Sequence, residues 1–189
     1  MNNGARIRLR PKRLSDAVDD FNWQTDRELS ELDAAAPLNM SYQQYLSEYT
    51  FDLCYPSSGR HEYAIETLDG EHIGNRVFYN IKMSEHKAEI GIMSGNRKYW
   101  NQGYGTEAVN ALLDLIFKKT SLEQIYLTTL NWNVRAHKCF KKCGFTECGH
   151  VTRDGYNFVL MVTHRDKQKM LQEQDAVKER EGERIQIKE

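Results

Sequence analysis

The residues best suited to chemistry fall in one run, Glu89 to Thr106, which closes on Trp100-Asn101-Gln102-Gly103-Tyr104-Gly105-Thr106. An apolar stretch, Ile90-Gly91-Ile92-Met93, leads through Ser94 into a basic loop carrying Arg97 and Lys98. The loop opens directly into a helix. Ala108, Leu112 and Ile116, with Val109, Leu113 and Phe117 beside them, recur at spacings of three and four. Gly103 and Gly105 carry no β-carbon, so a ligand can reach the backbone there. The first amides of a helix have no intrahelical partner, and the helix dipole adds partial positive charge at that end. The chemistry on offer is capture of a phosphate or diphosphate. The same two glycines also suit a tight turn with no ligand, and a short glycine motif does not separate the two. It is not a nucleotide P-loop, because no Gly-Lys-Ser or Gly-Lys-Thr follows. It is not the dinucleotide fingerprint either, whose third glycine position holds Ala108.

Two further groups invite chemistry. Glu89 precedes the loop on its strand, beside Ile90. A partly buried carboxylate there suits proton relay through a water, although a strand-edge glutamate with no role reads the same way. Cys139, Cys143 and Cys148 lie near His137 and His150, which raises the question of a metal site. No Cys-x-x-Cys pair is present. Cys139 and Cys143 stand four apart beside Ala136 and Phe140, the pattern of a buried helix face, so no metal is expected.

The elements that must position these groups read as follows. Residues 5–10 alternate apolar and basic and form an opening strand, which Pro11 ends. Ser15 caps a helix carrying Val18 and Phe21. Ser41 and Gln44 form a capping box at the head of a helix with Tyr42, Tyr45, Leu46, Tyr49 and Leu53 on one side. That aromatic row packs on the sheet or lines a pocket; helical spacing favours packing. Strands at 62–67 and 72–79 flank the Asp69-Gly70 turn. Strands follow at 87–93 and 124–130. A helix spans 134–143 with Gly144 as its C-cap, and a closing hairpin turns at Asp154-Gly155. From 166 to 189 charged residues and Gln dominate, and we expect a solvated tail, helical or disordered. The order gives an α/β (α+β) domain over 1–165 with a mixed, mostly antiparallel central sheet.

The chain has 189 residues, enough for one domain with a sizeable core. Its 26 Lys and Arg against 27 Asp and Glu leave a net charge of −1, so nothing draws it to nucleic acid or an anionic membrane. No apolar run reaches membrane-spanning length, and Met-Asn-Asn-Gly-Ala-Arg-Ile-Arg lacks a signal-peptide core. The expected setting is the cytoplasm, with the cysteines as reduced thiols.

Asn131 to Phe145 reads Asn-Trp-Asn-Val-Arg-Ala-His-Lys-Cys-Phe-Lys-Lys-Cys-Gly-Phe. Together with the glycine loop, it resembles the GNAT superfamily of acetyl-CoA-dependent N-acetyltransferases. The loop is similar to that family's acyl-CoA loop, (Gln/Arg)-x-x-Gly-x-(Gly/Ala), with Trp100 in place of the usual Gln or Arg. Tyr-Trp-x-x-Gly-Tyr-Gly-Thr-Glu-Ala resembles the branch with ribosomal-protein alanine and polyamine acetyltransferases. The second stretch is similar to the motif Asn-x-x-Ala-x-x-x-(Tyr/Phe)-x-x-x-Gly-Phe.

The resemblance implies a GNAT-like fold whose strands end apart near Met93 and Leu130, with acetyl-CoA in the wedge. It implies backbone groups of Ile92, Met93 and Ser94 beside the pantetheine arm. It places Trp100, Asn101, Gln102, Gly103, Tyr104, Gly105 and Thr106 around the diphosphate. Asn133 is then a pantetheine contact, and also a natural helix N-cap. Glu89 is the candidate general base. Where many members place a tyrosine acid this chain has Phe140, which packs on the arm or the core. Tyr104, Tyr126 and Cys139 are unranked substitutes, and the thiolate can equally take a solvent proton. The implied acceptor is a primary amine, either a protein N-terminus or a small molecule such as a polyamine or amino sugar. Glu28, Glu31 and Asp33 are available to attract its charge. A homodimer is compatible with the branch. A non-catalytic acyl-CoA-binding domain is the alternative reading.

Overall fold

The computed structural model describes residues 5–174. Seven strands form one sheet: β1 (Ile7–Pro11), β2 (His61–Thr67), β3 (His72–Lys82), β4 (Lys87–Met93), β5 (Gln124–Leu130), β6 (Thr146–Arg153) and β7 (Tyr156–His164). Their spatial order is β1-β2-β3-β4-β5-β7-β6. All neighbours are antiparallel except β4 and β5. That parallel pair needs a crossover, and the helix α4 (Tyr104–Lys119) supplies it.

The β4–β5 pairing is short. It runs from Lys87↔Gln124 to Glu89↔Tyr126 and then stops, although both strands continue for several residues. The sheet therefore forks beyond Glu89, as the wedge expectation requires. On one face Ala88, Ile90, Ile125 and Leu127 meet Val109, Leu112, Leu113 and Ile116 of α4 and Phe140 of α5 (Val134–Lys142) in a common core. The opposite face carries Asn75 and Glu89 and looks toward α1 (Ala17–Thr25), whose Asp20 accepts from Asn75.

Several local expectations need revision. Ser15 caps nothing; it lies inside a 3-10 turn, Leu14–Asp16, that feeds straight into α1. Asp16 does the local work instead, accepting from the Arg13 amide at 2.8 Å while holding the Arg10 guanidinium with both oxygens at 2.7 Å. After the short α2 (Arg27–Leu32), the Ser41–Gln44 capping box is present at the head of α3 (Tyr42–Cys54). Its aromatic row packs against α1. Phe21 of α1 sits 5.2 Å from Tyr42 and 5.4 Å from Tyr45, and Tyr49 donates to Asp20. Only Tyr45 of the row is buried, because α3 rides on α1 as an outer layer. The tail reading also changes at its start. Residues 165–174 are helical (α6), and Gln168 is buried, donating to Cys143 O at 2.8 Å and Thr163 Oγ1 at 2.9 Å. One buried amide with two partners anchors a segment that has little apolar surface. The rest of the tail lies outside the described residues.

Asp16 and Glu66 give the fold an acid-sensitive joint. Both are buried against Arg10. Burial pushes each carboxyl up, but hydrogen bonds from Arg10, with the Arg13 amide for Asp16 and Arg8 for Glu66, hold both below the ordinary range. A carboxyl with a depressed folded-state pKa adds stability above the unfolded value, about 4, that is lost as pH falls through the folded value. The melting temperature should therefore decline from pH 5 downward. Arg10→Met should flatten that decline. An equal acid slope in both proteins would exclude the joint.

Candidate active site

A cavity of about 410 Å³ opens at the fork. Ile92, Met93 and Ser94 line one side, Trp100, Asn101, Gly103, Tyr104, Gly105 and Thr106 another, and Asn133 and Phe140 a third. Eleven of the twelve cofactor-site expectations thus converge on one space. Gln102 does not line it. Its side chain turns back to Lys98 O and its carbonyl accepts from Arg6. Glu89 is not among the lining residues either, and its position is described below.

The loop has the geometry an anion site needs. Gly103 takes φ 87°, a left-handed value that disfavours any β-carbon, and its carbonyl starts the ladder of α4 through the Glu107 amide. Asn101 is also left-handed, with φ 59°. No side chain caps α4, so its first amides remain available at the cavity wall. Arg6 clamps the outside of the turn through Glu107 and the Tyr104 ring. Trp100 closes the loop on itself by donating from Nε1 to Ser94 O at 2.7 Å. Arg135 stacks on the indole 3.4 Å from its centre, a cation–π contact at the cavity rim. This explains a tryptophan where the acyl-CoA loop usually has Gln or Arg: it staples the loop instead of contacting the ligand with a charge.

Asn133 caps α5, its side chain accepting from Ala136 N at 3.2 Å, and still faces the cavity. Phe140 is 3% exposed and meets Phe145 edge-on at 5.8 Å, so it belongs to the core while flooring the cavity. Arg97 of the basic loop is paired with Asp26 and Glu28 at 2.7 Å each. Glu28 is thus engaged by Arg97. Asp33 does line the cavity.

Glu89 stands at the crotch of the fork, on the face opposite α4. It is 8% exposed and accepts from Asn80 Nδ2 at 2.8 Å. Asn80 reaches it because β3 bulges between Tyr79 and Lys82, with Asn80 at φ 49°. Tyr79 and Tyr126 flank Glu89 on the neighbouring strands, and its charge contributes to pushing both phenols up, after burial. Its carboxylate lies outside the cavity lining, on the sheet face that also carries Met93 at the cavity wall.

Two residues escaped the sequence reading. Asn80 left no signal, since a bulge depends on strand pairing. Arg76 did leave one: it alternates with Phe78 on an inward face. It is 1% exposed, donates to Gly105 O at 2.9 Å, and has an Nε without a partner. Burial lowers its pKa to about 9, which still leaves it charged at neutral pH. Among the described residues no group of three or more His, Cys, Asp or Glu side chains converges to hold a metal, and no helix is long and apolar enough to cross a membrane.

A split mixed sheet with uncapped helix amides at the fork defines an α/β domain built to hold an extended anionic ligand. The chain belongs to the acetyltransferase (GNAT) domain family, whose model matches residues 6–146. An uncharacterised N-acetyltransferase of Bacillus subtilis is 38% identical over 77 residues, covering 41% of this chain and 44% of the relative. An aminoglycoside N(6')-acetyltransferase type 1 of Klebsiella pneumoniae is 31% identical over 111 residues, 53% of this chain and 55% of the relative. The chain thus spans about half the length of these curated relatives. Among solved structures, spermidine N-acetyltransferase from Vibrio cholerae, in complex with CoA and spermine, superposes with TM-score 0.77 at 20% identity. The match covers 87% of this chain and 99% of that one. An aminoglycoside acetyltransferase in complex with coenzyme A gives 0.72 at 23% identity, over 87% and 98%. These structural likenesses carry the fold.

Proposed function

We propose that this protein is an N-acetyltransferase that moves the acetyl group of acetyl-CoA to a primary amine by direct attack. The observation that carries the reading is the fork: one cavity joins the free edge of β4, the uncapped start of α4 and Asn133. Beyond Glu89 the β5-facing backbone of β4 has no strand partner, so it can pair with the amides of a pantetheine arm as an added strand would. Gly103 and the first amides of α4 receive the diphosphate. Bound acetyl-CoA supplies an activated acyl group at the fork. Glu89, through a water, takes the proton of the approaching ammonium, and Asn80 holds the carboxylate in place. Phe140 offers no proton, so the departing thiolate is protonated from solvent or from a nearby hydroxyl or thiol.

One curated relative is an aminoglycoside N(6')-acetyltransferase, and a structural neighbour is a spermidine N-acetyltransferase in complex with spermine. Both support a small cationic amine as acceptor, approaching from the Glu89 face. The acyl donor and the four free thiols support a cytoplasmic setting. Release of free CoA, followed with a thiol reagent across polyamines, aminoglycosides and peptide N-termini, tests the reading. Donor binding without turnover on any amine would leave a non-catalytic acyl-CoA-binding domain.

The loop assignment has its own test. In Gly103→Val the new β-carbon meets the left-handed penalty and lies 3.2 Å from Arg6, and the side chain shields the α4 amides. Acetyl-CoA affinity should fall at least tenfold, about 1.4 kcal/mol. Calorimetry on a folded variant with unchanged affinity would remove the loop from the donor site.

A further inference from the structure

Arg10, Asp16, Asp20 and Glu66 are buried, and each meets an opposite charge. Arg76, also buried, does not: among the described residues it forms no ion pair. Its Nη2 donates to Gly105 O at 2.9 Å, its Nη1 reaches only Asn75 O at 3.5 Å, and its Nε meets no acceptor. Burial works against the charge, yet a guanidinium keeps its proton at neutral pH. A cation stripped of water and left without a counter-ion destabilises the fold that holds it. Its place shows where a counter-ion would sit. Arg76 lies opposite Ile92 of β4, and Ile92 and Gly105 both line the cavity. Arg76 stands behind them, outside the cavity wall. Gly105 is the second residue of α4, and no side chain caps that helix. A full positive charge is thus fixed behind amides that already carry the positive end of a helix dipole. Through the protein interior, such a charge is screened far less than a surface lysine would be.

We propose that Arg76 is a positioning residue for the donor's diphosphate: a buried, unpaired charge that acts through Gly105 and the first turn of α4, and whose counter-ion is the ligand itself. The ligand-free fold then holds an unneutralised charge, and diphosphate binding relieves it. The hydrogen bond to Gly105 O keeps the first turn of α4 in register with the charge behind it. Arginine suits the place, because a lysine that loses its water readily sheds its proton. The proposal rests on the reading of the α4 amides as the diphosphate site.

The test compares the full chain with Arg76→Met, using acetyl-CoA and S-acetylpantetheine, which keeps the acyl arm but lacks the diphosphate. In the variant, acetyl-CoA affinity should fall at least about tenfold, while S-acetylpantetheine affinity should stay within about threefold, because only the first ligand brings an anion to the charge. The ligand-free variant should melt no lower than the unmodified chain, since an uncompensated charge has been removed. Inorganic diphosphate at one fixed concentration should raise the melting temperature of the unmodified chain more than that of the variant. Equal losses for the two ligands, or unchanged acetyl-CoA affinity, would overturn the proposal and leave the diphosphate reading standing. A ligand-free variant that melts lower would make Arg76 a support of the fold and overturn it as well. If the unmodified chain binds neither acetyl-CoA nor inorganic diphosphate, the diphosphate reading fails and the proposal with it. Arg76→Gln, which also removes the charge, repeats the comparison if the Met variant does not fold. If neither folds, the charge supports the structure, and the proposal falls.

Discussion

Glu89→Gln should lower the rate of acetyl transfer on the order of a hundredfold, the range expected for loss of a general base. Donor affinity should stay within about threefold, because the cavity proposed for the donor is lined by residues other than Glu89. The substitution preserves shape, and glutamine can still accept from Asn80 through its carbonyl oxygen. What disappears is the basic oxygen at the crotch of the fork. The defect should shrink as pH rises, since more of the amine is then already neutral. A lysine-like amine ionises near ~10.4, whereas a protein N-terminus does so near ~7.7–8.0. The pH at which the variant recovers therefore reports the acceptor class. Initial rates at saturating donor across pH 6–9 make the measurement. A wild-type profile would take Glu89 out of the mechanism and leave the donor site untouched.

What the sequence disclosed depended on whether the cause was local. The limits of β4 and β5, the helix start after Gly103, the Asn133 cap and the Asp69-Gly70 and Asp154-Gly155 turns follow from neighbours within a few residues. Those features suffice to assemble nearly all of the cavity, because a glycine loop and two strand ends form most of its wall. Residues whose roles depend on distant partners were misread or missed. The loop sequence shows Arg97 as a basic residue but not its partners Asp26 and Glu28, which meet it from more than sixty positions away. Ser15 looked like a cap until Arg10 recruited its neighbour Asp16. Arg76 shows the intermediate case. Strand alternation already placed it inward, but only the fold reveals that its partner is the Gly105 carbonyl at the start of α4. The docked start of α6 was hidden for another reason: its anchor is a buried glutamine, which composition counts as polar.

The second large effect belongs to Gly95, where the donor loop is pinned to the first helix. Gly95 is buried, and a β-carbon built there would fall within the Trp23 indole. Trp23 has little room to retreat, since it is 9% exposed and its ring lies 4.7 Å from that of His72. Gly95 has no left-handed backbone requirement, so the cost of Gly95→Ala is almost purely steric. We expect the upper part of the overpacking range, about 3 kcal/mol. For a chain of this size that corresponds to a fall in melting temperature of roughly 6–12 °C. The neighbouring Ser94 carries the carbonyl that holds Trp100, so the displaced backbone should also weaken donor binding. Trp23→Leu removes the obstructing ring and is itself destabilising through the space it leaves. Combined, the two changes should cost less than their sum, because the cavity made by one receives the methyl of the other. A double-mutant cycle by thermal and urea unfolding measures the coupling. Strict additivity would mean that Gly95 is not held by Trp23, and that the entry to the loop is set by the β3 and β4 ladder alone.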